Sequence, residues 1–204
     1  MAENKTSGSM NTQGKEPSAS GKLYGPAVQP ARPHGDCYWI RPERLLAGEY
    51  PGHWSGATAL HKIRKILDAG ITVFIDLTGP GDHLKPYAPL LYEEAAARGV
   101  SVEYHRLSIT DMSIPDSPRE MAAILDKIDD ALAAGQSVYF HCWGGVGRTG
   151  TVTGCYLVRH GLSGDEALQE MARMWQTVAK YDVFPISPQT TEQRAYVLHW
   201  RERS

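Results

Sequence analysis

Between Ser137 and His160 the chain runs from a β-branched and aromatic segment, Ser137-Val138-Tyr139-Phe140-His141, through Cys142-Trp143-Gly144-Gly145-Val146-Gly147, into a largely apolar stretch over 149–160. A short apolar run, a glycine-rich break and a helix-length run, in that order, read as strand, loop and helix. The loop then lies at the positive end of the helix dipole. Gly144, Gly145 and Gly147 are expected to adopt backbone angles closed to other residues, so that successive amides converge on one point in front of the helix. A chain with such a segment must place a strand end, a concave run of N–H groups and a helix start side by side.

The residues inside that concavity set its chemistry. Arg148 offers a planar fork of donors that grips two oxygens of one anion, where a lysine would offer a point charge. Cys142 stands at the loop's first position, where the helix dipole favours a thiolate as well as a bound phosphate. Thr149 is expected to donate its hydroxyl hydrogen to the Cys142 sulfur, supporting it as nucleophile and as leaving group. Two plainer readings compete. An ordinary buried cysteine needs neither an arginine six residues on nor three intervening glycines. A nucleotide-binding loop needs Gly, four residues, then Gly-Lys-Ser/Thr, and here Cys142 and Arg148 break that pattern at two positions.

His141-Cys142-x-x-Gly145-x-x-Arg148-Thr149-Gly150 resembles the signature loop of the cysteine-dependent protein tyrosine phosphatase superfamily. Within it, the chain from about Tyr38 to Trp200 is most similar to the small atypical dual-specificity phosphatases. The resemblance implies a phosphoric monoester hydrolase working through a cysteinyl-phosphate intermediate without metal or other cofactor. It assigns Cys142 as nucleophile and the loop Trp143, Gly144, Gly145, Val146, Gly147 and Arg148 as the phosphate cradle. It also places the general acid at Asp111, directly after a strand. Asp116 is the alternative acid, but it precedes Ser117-Pro118 and a helix start, where capping is its expected task. By position Gln193 orients water or phosphate; the plainer expectation is a solvated glutamine early in a terminal helix. His141 is expected to hydrogen-bond the loop backbone rather than act as a base. His83 and Lys85, in the 79–86 loop, are candidate contacts to a second charged group of the substrate, or simply solvated. Trp143 is expected to shape the pocket floor or pack beneath it.

The remaining pattern alternates strand and helix. Tyr38-Trp39-Ile40 and Leu45-Leu46-Ala47-Gly48 suggest short strands, and 57–69 a helix with Leu60, Ile63, Ile66 and Leu67 on one face, ended by Gly70. The run 71–77, nearly all apolar and bounded by Gly70 and Gly79-Pro80-Gly81, reads as a buried central strand. A helix near 88–98, a strand at 100–109, a helix at 118–134 and further helices after Arg148 predict one α/β domain. Its central, mostly parallel sheet is flanked by helices, with the ligand at the strand carboxyl ends. Cys155, Trp175 and Trp200 are expected in the core.

At 204 residues and 42% apolar content the chain can bury a sizeable core. Residues 1–34 read as a disordered tail, the first 22 without an aromatic residue, and 35–204 as the catalytic domain. The tail lacks the apolar core of a secretory signal, and no stretch approaches a membrane span. Three cysteines without a CxxC pair fit a reducing compartment, so a cytoplasmic protein is expected. The net charge of −2 argues for neither nucleic acid nor anionic membrane as a bulk partner. The eight histidines lack metal-ligand spacing. The expected partner is a phosphorylated protein or peptide, with phosphotyrosine first and phosphoserine and phosphothreonine admitted. A phosphoinositide, an inositol phosphate or an RNA 5′-phosphate is the alternative, disfavoured by the absence of lysine between Cys142 and Arg148. A binding module without turnover is the remaining reading, disfavoured because cysteine, arginine and aspartate are all present.

Overall fold

The computed structural model of the chain describes residues 30–201; residues 1–29, most of the expected tail, lie outside them. From Pro30 onward the backbone is tied to the domain. The Arg32 guanidinium donates to the carbonyls of Gly35 (3.2 Å) and Cys37 (3.1 Å), and the Asp36 amide donates to His34 Nδ1 (3.2 Å).

Five strands, β1 (Cys37–Arg41), β2 (Leu45–Gly48), β3 (Val73–Asp76), β4 (Glu103–Arg106) and β5 (Val138–His141), form one sheet in the order β1-β2-β5-β3-β4. β1 is antiparallel to β2, and all other neighbours run parallel. Strand alternation sorts the core into two layers. Tyr38, Ile40, Leu45, Val73, Ile75, Val138 and Phe140 face α3 (Pro118–Ala133), α4 (Arg148–Arg159), α5 (Gly164–Trp175) and α6 (Thr191–His199). Trp39, Leu46, Phe74 and Tyr139 face α1 (Gly56–Asp68) and α2 (Ala88–Ala97). The expected α/β sheet with helices on both faces is what forms. Cys155, Trp175 and Trp200 are buried as expected.

Two local expectations change. The strand expected over 100–109 is shorter, Glu103–Arg106, because β4 is the sheet edge and its one partner, β3, spans four residues; past it the Leu107 and Ile109 amides still donate to the Asp76 (2.9 Å) and Leu77 (3.0 Å) carbonyls. The cap of α3 is Ser117, whose hydroxyl accepts from the Glu120 amide, and not Asp116. Asp116 instead donates its own amide to the Glu120 carboxylate at 3.0 Å. Proline follows the cap at the first helical position, where its missing N–H costs nothing.

The parallel pairing has one consequence for the site. β2, β5, β3 and β4 all deliver their carboxyl ends to the same edge, so Gly48-Glu49-Tyr50, Cys142, the 77–82 turn and the 107–117 loop converge there. Among the described residues no helix is long and apolar enough to cross a membrane.

Candidate active site

The loop from Cys142 to Gly147 leaves β5 and enters α4 directly at Arg148. Its shape depends on a close approach to the end of β2. Gly145 has φ +75°, the left-handed region that disfavours side chains, and a Cβ there would lie 2.7 Å from the Gly48 carbonyl carbon. The Tyr50 amide donates to the Trp143 carbonyl at 2.9 Å. Of the three loop glycines, only Gly145 uses a positive φ. Gly147 is needed for space, since a Cβ would meet the Gln193 amide at 2.9–3.0 Å, while Gly144 has ordinary room.

Thr149 does not serve the sulfur as expected. Its hydroxyl accepts from the Cys142 amide at 2.8 Å and donates to the Gly48 carbonyl at 3.3 Å. The Gly48 backbone presses against the loop and supplies the acceptor, so Thr149 fixes where Cys142 sits. Trp143 likewise departs from expectation: it is 55% exposed and stands on the rim, not the floor. Cys142 itself is buried at the base of the loop. Burial pushes the Cys37 thiol up to about 11 and the Cys155 thiol well above its ordinary value, so both are held as packed thiols.

His141 behaves as the sequence suggests. Buried at the end of β5, it accepts from the Tyr87 hydroxyl at Nε2 (2.7 Å) and directs Nδ1 at the Cys142 carbonyl (3.3 Å). Burial pulls the imidazole below its usual range despite Asp76 close by. A neutral ring with the proton on Nδ1 satisfies both contacts. Asp76, fully buried beneath it, accepts from the Thr78 hydroxyl, the Tyr104 hydroxyl and Arg106.

Arg148 is 1% exposed, and its guanidinium is committed on one edge. Nη1 and Nη2 donate to Asp82 Oδ2 (2.9 Å) and Oδ1 (2.6 Å), a bidentate fork, and Nη1 also reaches the Ile109 carbonyl (3.1 Å). Nη2 further meets Asp111 Oδ1 at 2.8 Å. Among the described residues the buried Nε has no hydrogen-bond partner. Asp82 is the functional residue that sequence reasoning missed. It lies in a single 3₁₀ turn, Pro80–Asp82, at the carboxyl end of β3, and also caps the Gly79 amide at 2.8 Å. Burial would raise its carboxyl, but the hydrogen bonds from Arg148 and Gly79 outweigh that and hold it below the usual range.

Asp111 is half-exposed on the loop after β4, and of the two candidate acids it is the one that reaches Arg148. Asp116 lines the same cleft further out. Gln193 is neither solvated nor free: it is fully buried, its carbonyl accepts from the Thr190 amide (3.1 Å), and its amide donates to the Ser113 carbonyl (2.9 Å). It thus ties the Asp111 loop to α6 while lying against Gly147. Lys85 lines a cleft beside Trp143, whereas His83 is an exposed residue at the end of the Pro80–Asp82 turn.

A buried cysteine at the base of a glycine-rich loop, an arginine at the helix start and an aspartate opposite it agree with what comparison finds. The family model described as polymorphic toxin system, DSP-PTPase phosphatase (Tc-R-P) matches residues 51–162, more than half of the chain. The chain belongs to this family. It is thereby a member of the cysteine-dependent protein tyrosine phosphatase superfamily, of the phosphatase type that includes dual-specificity enzymes. The dual specificity protein phosphatase CDC14B of Mus musculus is 29% identical over 136 residues, covering 62% of this chain and 25% of that protein. The chain spans between a quarter and about two fifths of the length of the curated relatives it matches. Among solved structures, Tk-PTP in its active form is 27% identical with a TM-score of 0.58, covering 80% of this chain and 93% of the other. PTPMT1 in complex with PI(5)P, 22% identical with a TM-score of 0.56 over 76% of this chain and 88% of the other, shares the fold.

Proposed function

We propose that this phosphatase hydrolyses phosphomonoesters on protein, phosphotyrosine first and phosphoserine and phosphothreonine in the same cleft, through a phosphate carried on Cys142. The observation that carries the reading is the unpartnered Nε of Arg148. A buried N–H without an acceptor costs free energy that an arriving phosphate oxygen recovers. Asp82 holds the opposite edge of the guanidinium, so the edge left over, Nε and Nη2, is the one a phosphate grips.

The Cys142 thiolate attacks phosphorus as the P–O bond to the tyrosine breaks, and Asp111 in its acid form gives its proton to the departing oxygen. Water then attacks the cysteinyl phosphate. Asp111, now the carboxylate, takes the proton from that water, and the S–P bond breaks to return the thiolate and inorganic phosphate. The loop amides and Arg148 hold the equatorial oxygens throughout. Asp82 and Gln193 position Arg148 and the Asp111 loop and touch no reacting atom.

The test is phosphate release in EDTA from phosphotyrosine, phosphoserine and phosphothreonine peptides and from phosphoinositides, with Cys142→Ser as control. Release from peptides that the substitution abolishes is expected. Release from lipids alone would move the substrate to the alternative class, for which the shared fold with a phosphoinositide complex is the supporting observation. No release from any substrate would leave the binding-module reading.

A further inference from the structure

The two sides of the catalytic loop carry opposite charge. On the Asp111 side, a cleft of about 390 Å³ is lined by Asp82, Asp111, Asp116 and Glu120. On the Trp143 side, a cleft of about 280 Å³ is lined by Lys62, Lys85 and Lys180 against the single carboxylate of Glu49, with Trp54 and Trp143 beside them. The loop itself forms part of this second wall through Trp143 and Gly144, so a group bound here lies next to the phosphate cradle.

The three lysines are not equivalent. Lys180 donates to Glu49 Oε2 (2.7 Å) and to the Gly144 carbonyl (2.9 Å), bracing the loop, and Lys62 is paired with the other Glu49 oxygen. Glu49, together with Asp36 at 3.8 Å from Lys180, therefore offsets the charges of Lys62 and Lys180. Among the described residues the Lys85 ammonium meets the Trp54 carbonyl, at 3.4 Å, and no carboxylate, which leaves its charge for a ligand. His53 accepts the Ser55 amide at Nδ1, which turns Nε2–H outward as a further donor. Trp54 is 77% exposed and Trp143 55%, two large apolar faces left open beside a cation. Aromatic faces flanking spare cations are an arrangement that buries a ligand's apolar stem while meeting its anionic end.

We infer that the Lys85 cleft is a specificity subsite for a second anionic group, a carboxylate or phosphate, on the residue adjoining the phosphorylated one. This rests on the protein phosphatase reading and narrows it to substrates of polar charge pattern. A substrate anionic on all sides, such as a polyphosphorylated inositol, would meet repulsion from Asp116 and Glu120. A peptide with an acidic group on one side of the phosphoresidue meets attraction there, and a neutral or basic group on the other side escapes the repulsion or adds attraction.

The experiment compares kcat/KM for phosphotyrosine peptides of equal length with glutamate on the amino side, glutamate on the carboxyl side, phosphoserine at either place, or neutral flanks. Intact protein and Lys85→Glu are run in parallel. One glutamate placement should exceed the neutral peptide by about threefold to tenfold, the scale of one or two partly exposed ion pairs, mostly in KM. Phosphoserine at that placement separates the two ligand sources: a larger gain than glutamate assigns the subsite to phosphate, an equal or smaller one to carboxylate. Lys85→Glu should bring the ratio to one or below, and salt should shrink it in the intact protein. Equal rates for all peptides, or a ratio that survives Lys85→Glu, overturns the subsite while leaving the phosphatase reading standing. Turnover of phosphoinositides with every peptide inert overturns both.

Discussion

Asp82 and Asp111 both touch Arg148, and the geometry requires that their removal move phosphate affinity in opposite directions. Asp82 occupies the Nη1/Nη2 edge and leaves Nε free, so it orients the guanidinium for a ligand on the other edge. Asp111 takes Nη2 at 2.8 Å, on the edge the phosphate needs. In Asp82→Asn one oxygen becomes an NH₂ that can accept nothing, so one charge-assisted bond to a buried guanidinium is lost. Such bonds contribute roughly 1.5–3 kcal/mol. At about 2–4 °C per kcal/mol for a chain of this size, Tm should fall by roughly 3–12 °C. If the misoriented guanidinium forfeits about half of that in the transition state, kcat/KM falls by roughly 4- to 13-fold, and inorganic phosphate binds more weakly by a similar factor. In Asp111→Asn a half-exposed negative charge leaves the phosphate edge. That relieves about 1 kcal/mol of repulsion, and phosphate should bind several-fold more tightly. Turnover of alkyl phosphates should drop by about 10²–10⁴-fold, and p-nitrophenyl phosphate should lose less because its leaving group needs little protonation. Titration calorimetry of inorganic phosphate with each variant, alongside kcat/KM on both ester types, reads all of this. Phosphate affinities that shift in the same direction for the two variants would refute the assignment of edges.

Gly145→Ala should be among the most damaging single changes in the loop. It forces a side chain into φ +75° and places Cβ 2.7 Å from the Gly48 backbone, which should cost more than about 3 kcal/mol and lower Tm by roughly 10 °C; a Tm within two degrees of the parent in about that comparison would show the loop rearranges freely. Ser187→Ala removes the hydroxyl that donates to the Val146 carbonyl at 2.7 Å. It should cost about 1–3 kcal/mol and raise KM more than it lowers kcat, so unchanged KM with normal stability would mean the contact does not shape the loop. Burial pulls His141 down, so the folded state holds it neutral while the unfolded chain takes up a proton below its ordinary value near 6.5. The stability it contributes is fully present above that value and falls as pH drops toward the folded value. Tm against pH should therefore decline below about pH 6.5, and replacement of His141 by Asn should flatten the decline; an unchanged slope in the variant would assign the effect to other groups.

Much of the fold was legible because its signals are local. The apolar run at Val73–Asp76 and the strand–loop–helix passage into Arg148 each announce themselves within a dozen residues. Asp111, which meets Arg148 at 2.8 Å, is singled out in the sequence by its place after a strand. Asp82 is not, although it also follows a strand, because nothing within Gly79-Pro80-Gly81-Asp82 says that β3 lies beside β5 and that the turn therefore faces the start of α4. The signal that was available is a carboxylate in a glycine-proline turn at the carboxyl end of a central strand, the edge at which ligands gather.

The side chains whose partners the sequence does not show share a physical cause. Thr149 and Gln193, for which the sequence suggests other roles, and Lys180 and Ser187, for which it suggests none, are all residue types able to donate. Each donates to a main-chain carbonyl supplied by a distant segment: Gly48, Ser113, Gly144 and Val146 respectively. A carbonyl acceptor is the same in every residue, so the sequence displays donors without displaying what receives them. The sequence therefore pairs Thr149 with the one acceptor that has a residue identity, the Cys142 sulfur, whereas the fold gives its hydroxyl the Gly48 carbonyl. The same asymmetry explains why the sequence offers Arg148 as a clamp but does not show its protein partners. Its fork could be read from the residue, whereas the edge of that fork left open for phosphate could be read only after Asp82 and the Ile109 carbonyl had taken the other.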